Sequence, residues 1–214
     1  MVERSRIAGL LRGAVATALL AATYPLIFRD HCLTWGATDD EVHRTMPGDD
    51  LLPEPGTVTT RAVTVCAAPA DIWPWLVQMG PGRGGAYTYD WIENLLGLDM
   101  HSADEIKPEL QHLAVGDTLT MGTGPAMRVA ILEPEQALVF RSEDAQWVWA
   151  FGLYPAADGT TRLVSRNRIA PRPSPLARGF FALVMEPGSL IMERKMLLGI
   201  KHRAERPATE TAPV

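Results

Sequence analysis

The sequence is poor in the residues that build metal sites and covalent cross-links. Only two cysteines, Cys32 and Cys66, occur among its 214 residues. They stand in no CxxC or Cys/His spacing, so a structural zinc ion is not expected. The sequence alone leaves open whether these two cysteines pair with each other.

Positive charge and catalytic signatures are also scarce. The formal net charge is −5, and the one cluster of basic residues, within 194–206, fits a helix C-terminus. A nucleic-acid partner needs a concentrated basic face, so none is expected. There is no Ser/His/Asp nucleophile elbow, no cluster of metal ligands and no dinucleotide fingerprint. These absences disfavour a hydrolase, a metalloenzyme or an oxidoreductase, and we predict no metal and no cofactor.

One long apolar run lies at the N-terminus. Ile7–Phe28 is apolar apart from Arg12, Thr17 and Thr23, and about 20 such residues span a bilayer. We predict a single-pass membrane anchor over residues 1–29 and therefore a location at the cell membrane. The basic residues before the run favour a cytoplasmic N-terminus, but the side on which the domain lies stays open. A cleaved signal peptide and a helix packed on the domain are the alternatives.

The remainder of the chain is typical of an α+β domain. Residues 30–55 are rich in Asp, Pro and Gly and predict a linker lying over the domain, with a short helix within Thr38–Arg44. Residues 56–206 predict the domain itself, and residues 207–214 a disordered tail. Alternating and β-branched runs predict strands at Thr57–Cys66, Asp117–Met121, Met127–Leu132, Ala137–Ser142, Trp147–Tyr154 and Thr161–Ile169.

Helices are predicted both before and after the strand meander along the chain. Apolar spacing predicts one within residues 69–80, and capping patterns at Asp90 and Ser102 predict two short ones. Ser174–Arg206 predicts a long helix with an internal kink at Pro187–Gly188. Four apolar residues of this predicted helix fall on approximately one face: Phe180, Val184, Ile191 and Leu198. We expect a curved antiparallel sheet wrapped around the long helix, with an apolar cavity between them.

Three stretches of the chain resemble a known superfamily. They are WGATDDEV, APADIWPWLVQMGPGRGGAYTYDWIENLLGLDMHSADEI and MERKMLLGIKHRAER. These stretches are similar to the SRPBCC superfamily, the START-like and polyketide cyclase/dehydrase relatives, and in particular to actinobacterial members, over Trp35–Arg206. The resemblance implies a helix-grip fold and the binding of lipids, polyketides or other hydrophobic ligands. It implies little about chemistry, because the superfamily mixes carriers, receptors, chaperone activators and cyclases.

The strongest candidate site is the glycine-rich stretch after the first domain helix. Its four glycines would let it act as a lid over the cavity mouth. Arg83 would then bind a carboxylate or phosphate head group, next to Tyr87 and Tyr89 as further ligand contacts. In the alternative, Arg83 pairs with Asp90 or Glu93 and merely pins the loop.

Three residues are candidates for proton transfer. Glu93 would form a carboxylate pair with Asp90, although helix capping explains the same spacing. His101 is the histidine nearest the glycine-rich stretch. Glu186, like Glu193, lies in the long helix, and an acid there would acquire a raised pKa if it faced the cavity rather than solvent.

Aromatic, basic and sulfur-containing side chains are candidates for the cavity wall. Trp147 and Trp149 share one strand face with Phe151, which predicts either plain core or contact with a ligand. Arg166 and Arg168 point the same way from their strand. They would select an acidic head group if that face lines the cavity, and would be solvated if it is the outer face. An adaptable lining is expected from Met185, Met192 and Met196.

The sequence therefore favours a membrane-tethered, non-enzymatic domain that binds a hydrophobic or amphipathic molecule such as a lipid, an isoprenoid or a polyketide-like compound. The alternative is a cyclase/dehydrase-type enzyme acting on a polyketide-like substrate in the same cavity, with His101, Glu93 or Glu186 moving protons. A third hypothesis is a protein-interaction module that uses residues 30–55.

Overall fold

A computed structural model describes residues 28–95, 97–120, 122 and 124–206. The predicted anchor lies almost wholly in residues 1–27, and the predicted tail is residues 207–214, so both fall outside the described residues. Within the described ranges, no helix combines the length and the apolar character that a membrane crossing requires.

One antiparallel sheet of six strands forms the frame of the domain. The strands are β1 (Thr57–Val65), β2 (Thr118–Leu119), β3 (Met127–Glu133), β4 (Ala137–Ser142), β5 (Trp147–Pro155) and β6 (Thr161–Ile169). They lie in the order β1-β6-β5-β4-β3-β2, which confirms the predicted meander and places β1 beside β6. A bulge between Val129 and Ile131 interrupts the pairing of β3 with β4, and bulges of this kind bend a sheet.

Six helices accompany the sheet within the described residues. They are α1 (Arg29–Thr34), α2 (Asp39–His43), α3 (Pro69–Val77), α4 (Asp90–Leu95), α5 (Pro175–Phe180) and α6 (Glu186–Ala204). The prediction of a short helix after Ser102 was wrong. The Ser102 hydroxyl donates to Asp90 and does not cap a helix; only one 3₁₀ turn, Pro108–Leu110, follows it.

The long C-terminal helix is continuous from Pro175 to Ala204, but it departs from α-helical geometry one turn before the predicted kink at Pro187–Gly188. Residues Phe181–Met185 form a widened π-helical turn between α5 and α6. Pro187 has no N–H to donate to the carbonyl of Leu183 four residues before it, so the α-helical ladder cannot run through this point.

The face of the helix that the sequence made most apolar is not the face that packs on the domain. Phe180, Val184 and Ile191 are exposed. The core contacts of α6 come instead from Met196, Leu197 and Ile200, which pack with residues of β1 and α3. An unexpectedly apolar outer surface is left on this helix.

Residues 37–55 lie across the outer face of the sheet, the face that does not carry α6, whereas α1 contacts β1 and α6. A capping box between Thr38 and Glu41 starts α2, which confirms the predicted short helix. Glu41 accepts two hydrogen bonds of 2.7 Å from Arg162 of β6. Asp49 lies 2.8 Å from Arg166 of the same strand. This segment is therefore held to the domain by buried and half-buried ion pairs.

The architecture is that of the helix-grip fold that the resemblance implied: a curved antiparallel sheet and a C-terminal helix that closes on it. Cys32 and Cys66 are both free, one buried and one exposed, so they do not pair.

Candidate ligand-binding cavity

A cavity of about 500 Å³ lies between the sheet and the C-terminal helix. Small-molecule sites in proteins typically have volumes of roughly 300–1,000 Å³. One rim is formed by the β4–β5 loop and the chain that leaves β6, including Asp144, Gln146 and Arg172. Phe181 and Met185 of the π-helical turn border the same space, so the irregular turn is part of the cavity wall.

The wall is predominantly apolar and rich in sulfur. Six of the nine methionines of the chain line it, namely Met79, Met100, Met127, Met185, Met192 and Met196. The predicted lining role of the last three is therefore confirmed. Methionine side chains are flexible and polarizable, so a wall of this kind adapts to ligands of different shape.

Trp147 and Trp149 line the cavity, and their indole rings are fixed. The two rings stack with their centroids 5.7 Å apart. Trp147 Nε1 donates to Asn167 Oδ1 at 2.8 Å, and Trp149 Nε1 donates to Ser165 Oγ at 3.0 Å. Because both N–H groups are bound on the protein side, the tryptophans offer apolar surface to the cavity.

A buried ionic network, which we call the Glu193 cluster, lies where α6 meets β1 and β6. It consists of Thr59, Arg61, Ser165, Asn167, Ser189 and Glu193. Arg61 is fully buried and forms an ion pair with Glu193. The Glu193 carboxylate also accepts hydrogen bonds from Ser165 and Asn167. The remaining Arg61 donors bind the Cys32 carbonyl and the Ser189 hydroxyl.

Sequence reasoning missed Arg61, the cation at the centre of this cluster. The available signal was an arginine within the β-branched strand TVTTRAVTV, which alternation alone does not assign to the inner face. Glu186, seven residues before Glu193, also faces the cavity and accepts two hydrogen bonds, of 2.9 and 3.0 Å, from Arg29.

Glu93 is the acid in the cavity wall that lacks such a partner. The residue is 7% exposed, and its Oε2 atom makes no hydrogen bond to any described residue. The neighbouring Thr88 Oγ1 is also buried without a hydrogen-bond partner there. Burial raises the pKa of the Glu93 carboxyl, and the Asp90 carboxylate raises it further, while proximity of the Thr88 hydroxyl opposes them.

Arg83 does not face the cavity. Its Nη2 atom donates to the carbonyls of Val77 and Leu110, at 3.1 and 3.0 Å, and burial lowers its pKa. It therefore pairs neither with a ligand head group nor with Asp90 or Glu93, as the sequence had suggested. Because its Nη2 group binds two backbone carbonyls, Arg83 ties the glycine-rich stretch to the end of α3.

The two predicted tyrosines also lie outside the cavity lining. Tyr87 is fully buried in the core, and its hydroxyl donates to the carbonyl of Trp75 at 2.9 Å. Tyr89 is partly exposed, with Lys195 Nζ 5.8 Å from its ring centroid. The phenol groups are thus engaged in packing α3 and α6 rather than in lining the cavity.

The structure also contradicts the predicted roles of His101 in proton transfer and of Arg166 in ligand binding. His101 is largely exposed, 3.3 Å from Asp99, because it stands in the loop that leaves α4. Arg166 points to the outer face of the sheet, where it is buried under residues 30–55 and donates to the Glu41 and Val42 carbonyls. Neither residue belongs to the cavity wall. Arg168, beside Asp49, lies on the same outer face.

Of the predicted site residues, the structure therefore brings Glu93, Trp147, Trp149 and Glu186 together around one cavity. Within the described part of the chain, no group of three or more His, Cys, Asp or Glu side chains is placed to hold a metal ion.

Comparison with known proteins gives structural neighbours alone. No family model matches the chain, and no curated protein matches it. Similar solved structures include protein MLL2253 from Mesorhizobium loti, with 19% identity, TM-score 0.42, and coverage of 72% of this chain and 100% of that one. KanY shows 12% identity, TM-score 0.43, and the same coverage of 72% and 100%.

A third neighbour is described as a Polyketide_cyc-like protein, Cgl2372 from Corynebacterium glutamicum. It shows 16% identity, TM-score 0.37, and coverage of 70% of this chain and 91% of that one. At this level of similarity these neighbours do not identify a ligand for this chain.

Proposed function

We propose that this chain is a binding domain for a hydrophobic or amphipathic small molecule held between the sheet and α6. The observation that carries the proposal is the cavity of about 500 Å³ with its methionine and tryptophan wall. The Glu193 cluster supports it, because arginine and glutamate saturate each other there and do not require a charged ligand. Transfer of apolar ligand surface from water into such a space is favourable by about 25 cal/mol per Å².

A cavity-filling substitution is expected to remove binding. Met192→Trp places a large ring in the cavity, whereas Ile191→Trp places the same ring on the exposed side of the same helix. We expect Met192→Trp to weaken binding of the neutral fluorophore N-phenyl-1-naphthylamine by roughly tenfold or more, about 1.4 kcal/mol. Ile191→Trp is the matched control and should bind as the wild type does. Equal affinities of the two variants would contradict the proposal.

We further propose that the domain is tethered to a membrane with the cavity rim toward the bilayer. An apolar surface on α5, the π-helical turn and the start of α6 supports this orientation. Its members are all exposed, with Leu176 at 85%, and comprise Leu176, Phe180, Leu183, Val184, Met185 and Ile191. Contiguous exposed apolar surface of this kind is typical of membrane or protein contact sites.

The end of the predicted anchor lies beside this apolar surface. The apolar run of the sequence ends at Phe28, and the next residue, Arg29, binds Glu186 directly after the π-helical turn. Arg172, whose guanidinium lies 4.8 Å from the Phe181 ring centroid, and the exposed Arg178 add positive charge at the same end. Cations near an apolar surface favour anionic lipid head groups.

The orientation is testable by depth-dependent quenching. In a full chain carrying Cys66→Ser, a bimane label at Leu183→Cys should be quenched by nitroxide lipids in phosphatidylglycerol-containing vesicles. The control label at Asp158→Cys should not be quenched. The β5–β6 turn that carries it lies at the other end of β5, about 25 Å along the strand from the cavity rim. Quenching absent at residue 183, or equal at both sites, would contradict the proposed orientation.

A cyclase/dehydrase-type activity is the second candidate, and one observation favours it. Glu93 is the cavity acid with an unpartnered oxygen, whereas Glu186 is bound by Arg29 and His101 lies outside the cavity. Glu93 would be the proton donor of such an enzyme. The interaction-module hypothesis receives less support, since residues Glu41 and Asp49 of the 30–55 segment are engaged by the domain's own arginines.

A further inference from the structure

Two polar atoms in the cavity wall are buried and make no hydrogen bond to a described residue: Glu93 Oε2 and Thr88 Oγ1. Both residues line the cavity, and they lie close to each other. Buried polar atoms in folded proteins almost always have a partner. Even a hydrogen bond between these two neighbours would leave one donor of a neutral Glu93 and Thr88 pair without an acceptor.

The contrast with the rest of the wall is specific. In the Glu193 cluster the carboxylate is bound by Arg61, Ser165 and Asn167, and both indole N–H groups have acceptors. Those groups have little hydrogen-bonding capacity left for a ligand. Glu93 and Thr88 are therefore the place in the wall where a polar atom of a ligand would gain a new partner.

The surroundings of Glu93 favour the neutral form of its carboxyl group. No described Lys, Arg or His forms a salt bridge with it, and burial together with Asp90 raises its pKa. The other acids that face the cavity already have partners: Arg29 for Glu186, Arg61 for Glu193, and the Ser142 hydroxyl, with Arg172 nearby, for Asp144. A neutral carboxylic acid donates one hydrogen bond, which a carboxylate cannot do.

We infer that the cavity binds an uncharged, predominantly apolar molecule that carries a carbonyl, ester or hydroxyl oxygen, and that this oxygen accepts a hydrogen bond from Glu93 beside Thr88. This inference rests on the proposed binding function and defines its ligand class. An aliphatic or aromatic hydrocarbon would fill the same space but leave both polar atoms without a partner. The Glu93 site would thus select for the oxygen rather than for shape.

An isosteric pair of probes tests the selection. In 2-acetylnaphthalene and 2-isopropenylnaphthalene the heavy-atom skeletons match, and a carbonyl oxygen in one replaces a methylene group in the other. Affinities of the full chain for both are measured by equilibrium dialysis, with the same detergent on both sides. Glu93→Leu is expected to lower the affinity for the ketone relative to the alkene about tenfold, the size of one buried hydrogen bond. Glu93→Gln, whose amide still donates, should keep most of the preference, and the surface exchange Glu109→Leu should keep all of it.

The carbonyl stretching band of the bound ketone gives a second measurement. In the wild type we expect a shift to lower frequency that disappears as pH rises through the raised pKa of Glu93, because the ionised acid no longer donates. In Glu93→Gln the shift should persist at every pH, and in Glu93→Leu it should be absent.

The outcomes separate this inference from the proposed function. Failure of the wild type to bind either probe would overturn both. Binding of both probes with a ratio that Glu93→Leu leaves unchanged, and an unshifted band, would overturn the oxygen-selective site alone and indicate that bound water satisfies Glu93. A ratio and a band that change as described support the inference.

Discussion

Glu193→Leu is expected to lower the free energy of unfolding by about 3–5 kcal/mol. The substitution leaves the fully buried Arg61 without its anion, since the Cys32 carbonyl and the Ser189 hydroxyl are neutral acceptors. An uncompensated guanidinium in the interior has lost its hydration and gained no charge to balance it. Urea unfolding followed by tryptophan fluorescence measures the loss.

Two further variants identify the cause of this loss. The double substitution Arg61→Met with Glu193→Leu removes both charges and should recover most of the stability, because the buried ion pair itself contributes little net free energy. Arg128→Ala breaks a pair with Glu143 in which both side chains are more than half exposed, and should cost about 1 kcal/mol or less. If Glu193→Leu were as mild as Arg128→Ala, Arg61 would not depend on its anion.

Gly199→Ala is expected to destabilise the protein by about 2 kcal/mol, although alanine is the better helix former. A Cβ atom at residue 199 would lie 2.5 Å from the backbone oxygen of Tyr87 and 2.8 Å from its Cβ. Because Tyr87 is held by its hydrogen bond to Trp75, the clash must be relieved by moving α6 away from the domain. The midpoint of thermal unfolding and the urea midpoint should both fall.

Gly188→Ala is the matched control in the same helix. Nothing lies within 4 Å of a Cβ atom built at this position. Here the intrinsic preference for alanine acts alone, so we expect stability to rise by up to about 1 kcal/mol. If both variants were stabilising, the contact between Gly199 and Tyr87 would not be tight in solution.

The strands were the most predictable part of the fold, for a physical reason. A sheet with one face on a core selects alternating side chains, and the predicted limits of the fourth and sixth strands, Ala137–Ser142 and Thr161–Ile169, agree with the structure. The irregularity of the C-terminal helix was predictable because Pro187 cannot take part in an uninterrupted α-helical ladder, although its form, a π-helical turn, was not.

The site was less predictable because strand periodicity does not say which face of a sheet receives a helix. Arg61 lies opposite Ser165 in the β1–β6 pair, and Arg166 is the next residue along β6. The two arginines therefore point to opposite faces, and alternation alone gives no preference between them. Once α6 lies on one face, Arg61 meets Glu193, and Arg166 is left to Asp49 on the other.

The packing face of the C-terminal helix was predicted wrongly for a related reason. Its apolar face, with Phe180, Val184 and Ile191, predicts packing onto a core, whereas the structure exposes it and buries Glu186 and Glu193. These two acids are seven residues apart, about two helical turns, so they lie on the same face of the helix. Their arginine partners, Arg29 and Arg61, are far away in sequence and were not assigned to them.

The strand order also bears on how the chain acquires its structure. Thr60 of β1 lies opposite Arg166 of β6, 106 residues later. Loop-closure entropy opposes such distant pairings, and topologies dominated by them fold slowly. During synthesis the first strand must wait for nearly the whole domain before its neighbour in the sheet exists. The β3–β4–β5 hairpins have partners close in sequence, so we expect them to form first and β1 to join last, together with the helix that covers it.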